Sequence, residues 1–345
     1  MLNPGVLATL TAAALFGAGT PFAKALLTST DPWLLAGLLY TGSGLALTAV
    51  RYLRARTSVR LTGAEIGYLA AAIVAGGVVG PVLLMNGLAA MRAAGASLLL
   101  NAEGVFTALL AWFVFRENVD RRIAIGLFAI AAGAALISWS PGIHVSELWP
   151  ALLVLGACLA WAVDNNLTRK LSLNDATWLA SIKGLVAGAT NLSIATALGA
   201  HWPHLSGTLA ALSIGALAYG ASLVLFVRGL RHLGAARTTA YFSVAPFVGA
   251  LVALAWLHEP MSFRLILAAL LMGVGLWLHL TERHEHMHHH LALEHDHEHE
   301  HDEHHQHPHP AGIAPAVRHS HWHRHEPLTH AHPHFPDAHH QHEHE

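Results

Sequence analysis

A glutamate stands alone in an apolar run, Leu98-Leu99-Leu100-Asn101-Ala102-Glu103-Gly104-Val105-Phe106. A charged side chain at the centre of a bilayer costs at least about 2.5–3.5 kcal/mol on insertion scales, so it calls for a reason. A carboxylate in that setting is neutral, ion-paired or hydrated by a cavity. In the hydrated case it can couple proton movement to the passage of another solute. The competing reading is an ion pair with a lysine on a neighbouring helix that only fixes packing. Asn101 falls on the same turn as Glu103 and joins it as a candidate.

A second polar cluster, Asp164-Asn165-Asn166, is followed by Thr168 and Arg169. Asp164 and Thr168 are four apart and share a helix face, while the two asparagines point to adjacent faces. Asp164 lies about 9 Å from the end of its apolar segment, and Lys183 about 10 Å into the next one from the same side. Equal depth on antiparallel neighbours predicts an Asp164–Lys183 pair, which offsets the penalty of both charges. The functional alternative has Asn165 and Asn166 lining a substrate path, with Asn191 further along the same wall. Asn86, Arg228, Tyr241 and Ser243 are further cavity-facing candidates. Lys24 and Arg169 read as snorkelling side chains near helix ends, and Glu117 and Glu259 as caps or loop anchors. Pro246 frees a carbonyl in mid-helix and can hinge it; Gly104 can loosen the corresponding position.

The elements that carry these residues are long and apolar. Of 345 residues, 54% are hydrophobic and 12% charged, about half the charged fraction of a soluble domain. Lipid is the solvent such a chain fits. Apolar segments run over about 5–27, 33–53, 65–88, 94–115, 122–139, 149–170, 176–199, 207–228, 235–257 and 262–281, each near the length of a spanning helix. Pro, Gly or charge marks their ends. Lys and Arg concentrate on one side if the N-terminus is cytoplasmic: Arg51, Arg54, Arg56 and Arg60, then Arg116, Arg121 and Arg122, then Arg169 and Lys170, then Arg228, Arg231 and Arg237. That bias puts both termini inside the cell. Trp33, Trp139, Trp149 and Trp202 fall at segment ends, as an interfacial belt does. Cys158, the single cysteine, reads as a small packing residue.

The chain repeats itself. GLAAMRAAGASLLLNAEGVFTALLAWFVFRE, residues 87–117, is echoed by GLRHLGAARTTAYFSVAPFVGALVALAWLHE, residues 229–259. At one constant offset Gly87 falls on Gly229, Glu117 on Glu259, Gly133 on Gly275 and Leu136 on Leu278. Phe16-Gly17 answers Trp161-Ala162 less closely. Five spans per copy is an odd number, so the second copy enters the membrane inverted, an arrangement typical of secondary transporters. The expected fold is therefore an all-α membrane protein of ten transmembrane helices in two inverted five-helix repeats, 1–140 and 141–282. A disordered histidine-rich cytoplasmic tail, 283–345, follows. Small residues at Ala129, Gly133, Ala269 and Gly273 permit close helix contact within one subunit or in a homodimer.

These marks resemble the EamA-type permeases of the drug/metabolite transporter superfamily: the tandem hinge-helix-glutamate units ending in Arg116-Glu117 and His258-Glu259, the glycine-bearing helices after them, and SVAPFVGALVAL at 243–254. Pro246 matches the proline position of that pattern, whereas Gly104 stands there in the first copy, preceded by Glu103. The resemblance covers residues 5–281 and implies an inner-membrane permease for small metabolites or toxic compounds, more an exporter than an importer. It does not name the substrate.

The tail, HEHMHHHLALEHDHEHEHDEHHQHPHP and beyond, is histidine, acid and proline. Such composition buries no core and predicts disorder without a ligand. Neutral imidazoles among carboxylates suit Zn, Ni, Cu or Co, with His295, His297, His299, His301, His304 and His305 as a low-specificity set. No other cofactor is called for. The rival functions are a divalent metal efflux permease and a metal-sensing membrane protein. No P-loop, HExxH or intramembrane Ser/His pair is present, which speaks against an ATP-driven pump or an enzyme, and nothing points to nucleic acid. Lipid and a small solute are the expected partners.

Overall fold

The computed structural model describes residues 4–53, 59, 61–115, 121–138, 145–171, 175–280, 285–290, 293–299, 319–325 and 328–333. Residues 1–282 and 283–345 are two separate units.

Every regular element among the described residues of the first unit is helical. Its helices are α1 (Pro4–Leu26), α2 (Pro32–Leu53), α3 (Gly63–Ala72), α4 (Gly80–Ala90), α5 (Ala93–Leu99), α6 (Ala102–Phe115) and α7 (Arg121–Ser138). Then come α8 (Val145–Arg169), α9 (Ala176–Ala197), α10 (Leu205–Ile214), α11 (Ser222–Phe242), α12 (Ala245–Trp256) and α13 (Phe263–Leu280). π-helical segments Ile73–Val79 and Gly215–Ala221 join α3 to α4 and α10 to α11. Six of the resulting helices are long and apolar enough to cross a membrane.

Local chemistry sets the starts. Asp31 Oδ1 accepts from the backbone N–H of Trp33 (2.9 Å) ahead of α2, with Pro32 in the first turn, where its missing N–H costs nothing. Thr62 and Glu65 form a capping box on α3. Asp175 caps α9 through Thr177 N and Trp178 N and also receives Arg51 from the end of α2 at 2.5 Å.

The stretch expected as one span at 235–257 is divided. Residues 235–242 continue α11 without the expected loop, and the helix breaks at Ser243–Val244 before α12 starts. Pro246 explains the place: its ring excludes the carbonyl four residues back and it has no N–H to continue the ladder. The proline thus opens a helix rather than bending one midway. The first copy breaks at the matching point, Leu100–Asn101, without a proline. There the Asn101 amide donates to Leu98 O (2.9 Å), a local side-chain bond that competes with the helix. The π-helical segments also match, since Ile73 and Val79 fall on Gly215 and Ala221 at the offset that sets Gly87 on Gly229.

Glycine lets the helices meet closely. α2 and α9 run antiparallel, with Gly44 against Gly184 and Leu185, Gly188 against Thr41, and Gly37 against Leu192. α7 and α13 also run antiparallel: Gly133 packs on Met272 and Ala268, and Gly275 on Ile130 and Gly126. Repeat equivalents exchange in the second pairing, Gly133 with Gly275 and Ile130 with Met272. Small residues in these helices therefore serve contact within the chain. The main core gathers Leu34, Leu35, Leu39, Leu84, Met85, Leu88, Leu98 and Leu99, all nearly inaccessible.

The second unit is described only in short pieces. Four short strands form, β1 (Glu285–His290), β2 (Leu293–His299), β3 (His319–His325) and β4 (Leu328–Pro333). β1 pairs antiparallel with β4 and β2 with β3. Strands such as HSHWHRH alternate with period two. Two-stranded ribbons of this kind are marginal in water.

Candidate functional site

The break at Leu100–Asn101 decides where Glu103 sits. It places the carboxylate in the first turn of α6, where the helix dipole favours a negative charge. Its oxygen Oε1 accepts from Asn165 Nδ2 of α8 at 2.8 Å. Asn165 is exposed, Glu103 keeps accessible surface, and a Cβ on Gly104 would meet only open space.

Asp164, next to Asn165, has a different environment. Its Oδ1 receives Lys183 Nζ of α9 at 2.5 Å and Thr168 Oγ1 at 2.9 Å, and Lys183 also donates to Thr168 Oγ1 at 3.2 Å. The predicted pair thus forms, with both side chains largely buried (17% and 10% accessible). Gly76 lies directly against the Asp164 carboxylate, so any side chain there would overlap it.

Gly76 also serves through its carbonyl. π-helical winding releases backbone acceptors from the regular ladder. Gly76 O accepts from Tyr40 Oη (2.8 Å) and Trp161 Nε1 (2.9 Å), and Gly77 O from Asn191 Nδ2 (2.9 Å). Three helices are pinned to one widened turn. In the second copy the matching carbonyl, Ala218 O, is taken by Ser222 of its own helix instead.

From Tyr40 a chain of aromatic rings crosses the unit. Tyr40 and Tyr219 are 6.0 Å apart, Tyr219 and Phe16 5.7 Å, Phe16 and Phe242 5.5 Å, and Phe242 and Phe226 4.9 Å. Trp161 joins the near end through the shared Gly76 carbonyl, one turn from Asn165 on α8. Glu103, Tyr40 and Tyr219 are enclosed by protein yet each keeps accessible surface. Together with Asn165 and Trp161 they form one polar and aromatic wall. Glu103 and Asp164 both lie within electrostatic reach of the Tyr40 phenol.

The remaining predicted residues separate from this wall. Asn101 is buried, donating to Leu98 O and towards Met272 Sδ of α13, not beside Glu103. Asn166 gives its amide to Ala162 O of its own helix, and Asn86 to Val82 O. Asn191 is fully buried as a clamp on the π-helical turn. Tyr241 is exposed at the end of α11, Ser243 sits in the break before α12, and Arg228 is exposed. Cys158 is buried with its thiol towards Leu99 O, a packing role. In the tail, the register sets His295 opposite His323, His297 opposite His321 and His299 opposite His319. His301, His304, His305 and Glu117 lie outside the described residues. Among the described residues no group of three or more His, Cys, Asp or Glu is placed to hold a metal ion.

Lys24 does more than snorkel. Its Nζ donates to Leu88 O (2.7 Å) and Ala89 O (2.9 Å) at the end of α4, while Glu259 accepts from Ala93 N (2.7 Å) and Ala94 N (2.9 Å) at the start of α5. Sequence reasoning missed Tyr40, Tyr219 and Trp161 as wall residues. The signal available was the Gly76-Gly77 pair at the same offset as Ala218-Tyr219.

Apolar helices around an enclosed carboxylate define a multi-pass membrane protein with a polar interior. The chain belongs to the EamA-like transporter family, whose pattern matches it twice, over residues 3–139 and 148–281. An uncharacterized transporter of Methanothermobacter thermautotrophicus is 26% identical over 292 residues, 79% of this chain and 85% of that protein. Uncharacterized transporter YvbV of Bacillus subtilis is 25% identical over 272 residues, 75% of this chain and 85% of its own length. A solved protein structure shares the fold with a TM-score of 0.61 at 18% identity, covering 80% of this chain and 96% of that one. The protein is thus a membrane transporter.

Proposed function

We propose a secondary-active permease of the inner membrane in which two inverted halves alternate access to a central site at Glu103. The observation that carries this reading is the Glu103–Asn165 hydrogen bond, an enclosed but accessible carboxylate whose partner is neutral. The antiparallel meeting of α7 with α13, and of α2 with α9, supports inversion, because helices at matching places in two copies meet head-to-tail only if the copies are opposed. The cargo is a small organic solute and the driving force an ion gradient; export follows the family resemblance. The asymmetry of Lys and Arg supports cytoplasmic termini.

Gly249 of α12 packs on Ser97 of α5 and on Gly17 of α1, beneath the Lys24 and Glu259 contacts, and on this reading that is the closed side. With the N-terminus inside, it is the extracytoplasmic one.

Proteoliposomes with an imposed proton gradient test the assignment. Glu103→Gln is expected to insert normally and to lose coupled flux of whichever solute of a metabolite panel the parent moves. Flux unchanged between pH 5 and pH 8 in that variant removes Glu103 from the mechanism.

A further inference from the structure

Building on the permease reading, we infer that the solute recognised at this site is an organic cation, a protonated amine or quaternary ammonium carrying apolar groups.

Charge bookkeeping inside the unit points that way. Asp164 and Lys183 cancel one another, with Thr168 bridging both. Lys24 is held by two carbonyls and lies near Glu259. Glu103 is held by the neutral amide of Asn165 rather than by a cation, which leaves its carboxyl without a charged partner among the contacts of the described residues. The rings supply an independent argument. Tyr40, Tyr219 and Phe16 form a run of ring contacts, and Trp161, one turn from Asn165 on α8, shares the Gly76 carbonyl with Tyr40. Aromatic faces carry negative potential and attract cations, most strongly where water is excluded. A carboxylate at one end and ring faces along the wall together fit a cation with an apolar body.

Other solutes fit less well. A zwitterion such as an amino acid requires a donor for its own carboxylate, and the nearby ammonium, Lys183, is bound to Asp164 at 2.5 Å. A bare divalent ion requires several oxygen or nitrogen ligands, where this wall offers one carboxylate, one amide and the phenol of Tyr219, with ring carbon around them.

Equilibrium dialysis of the purified full-length protein tests the inference with benzyltrimethylammonium, its uncharged isostere neopentylbenzene, and phenylalanine as a zwitterion. The cation is expected to bind saturably, and neither comparator to compete at equal concentration. Glu103→Gln should weaken binding about tenfold or more, the effect of deleting one member of a desolvated charge pair. Glu103→Asp should restore part of it. Tyr219→Leu should weaken the cation severalfold while Tyr219→Phe, which keeps the ring, should not. Equal binding of cation and isostere, displacement by phenylalanine, or an unchanged Glu103→Gln protein that elutes as a single species overturns the inference. Flux in proteoliposomes separates the two readings. A bound cation that is never transported sinks the permease reading alone; Glu103-dependent flux of an anion or zwitterion without cation binding sinks this one alone.

Discussion

Lys24 and Glu259 close on the same gap in the backbone from opposite sides. Lys24 reaches the carbonyls that end α4, and Glu259 the N–H groups that begin α5. Each charge opposes the sign of the helix end it meets, which is the arrangement the peptide dipoles favour. Met91 and Arg92, both extended, turn the chain between them. Glu259 also ties the segment after α12 to the first copy, so the pair fastens the closed side.

Glu259→Ala should therefore do two things. Losing the cap on Ala93 and Ala94 is expected to cost about 1–2 kcal/mol in reversible unfolding. The closed side should also open more often. A cysteine placed at Ser97, buried against Gly249, is expected to react faster with an impermeant thiol reagent in Glu259→Ala cells than in the parent. Equal labelling rates would mean that Glu259 caps the helix and has no part in closure.

Asp164 and Lys183 are expected to behave as a unit. Removing one member of a buried pair leaves an uncompensated charge, at about 3–5 kcal/mol, whereas replacing both by neutral groups costs far less. Asp164→Asn and Lys183→Met should each lower stability by about 3 kcal/mol, and the double variant should recover most of the loss. A double variant whose loss equals the sum of the singles would show that the two charges do not act on each other.

Much of this architecture is written in the chain because membrane helices obey a length and polarity rule that single residues reveal. The ends of α1, α2, α7 and α13 lie within a residue or two of the apolar segments, since lipid requires an unbroken hydrogen-bonded helix. The Asp164–Lys183 contact is legible from depth alone. The run of α11 through to Phe242 is not. The stretch 229–234 separates two apolar segments in the sequence, yet nothing in it prohibits helix, and the true stop is set further on by Pro246. Asn101 and Glu103 reach different helices, α13 and α8, as residues two apart on a helix do. The aromatic wall is hidden for another reason: Tyr40, Trp161 and Tyr219 come from three distant segments, and only tertiary packing on the π-helical turns brings them together.

Gly76 is the place where packing tolerance is least. The Asp164 carboxylate occupies the space in which a Cβ would stand, and Trp161 and Tyr40 are anchored to the same residue's carbonyl. A methyl there cannot be accommodated by rotating a flexible side chain, because Asp164 is fixed by Lys183 and Thr168. Gly76→Ala is expected to cost about 1–3 kcal/mol, as overpacking of a filled interior does, and to weaken Glu103-dependent flux by displacing α8 and with it Asn165. At the matching position in the second copy the chain already carries a methyl, Ala218, which stands against Gly19. Ala218→Gly should be the milder change by comparison, near the intrinsic helix cost of about 1 kcal/mol. Thermal unfolding in detergent of both variants settles the ordering, and a Gly76→Ala protein as stable as the parent would mean that Asp164 has room to move.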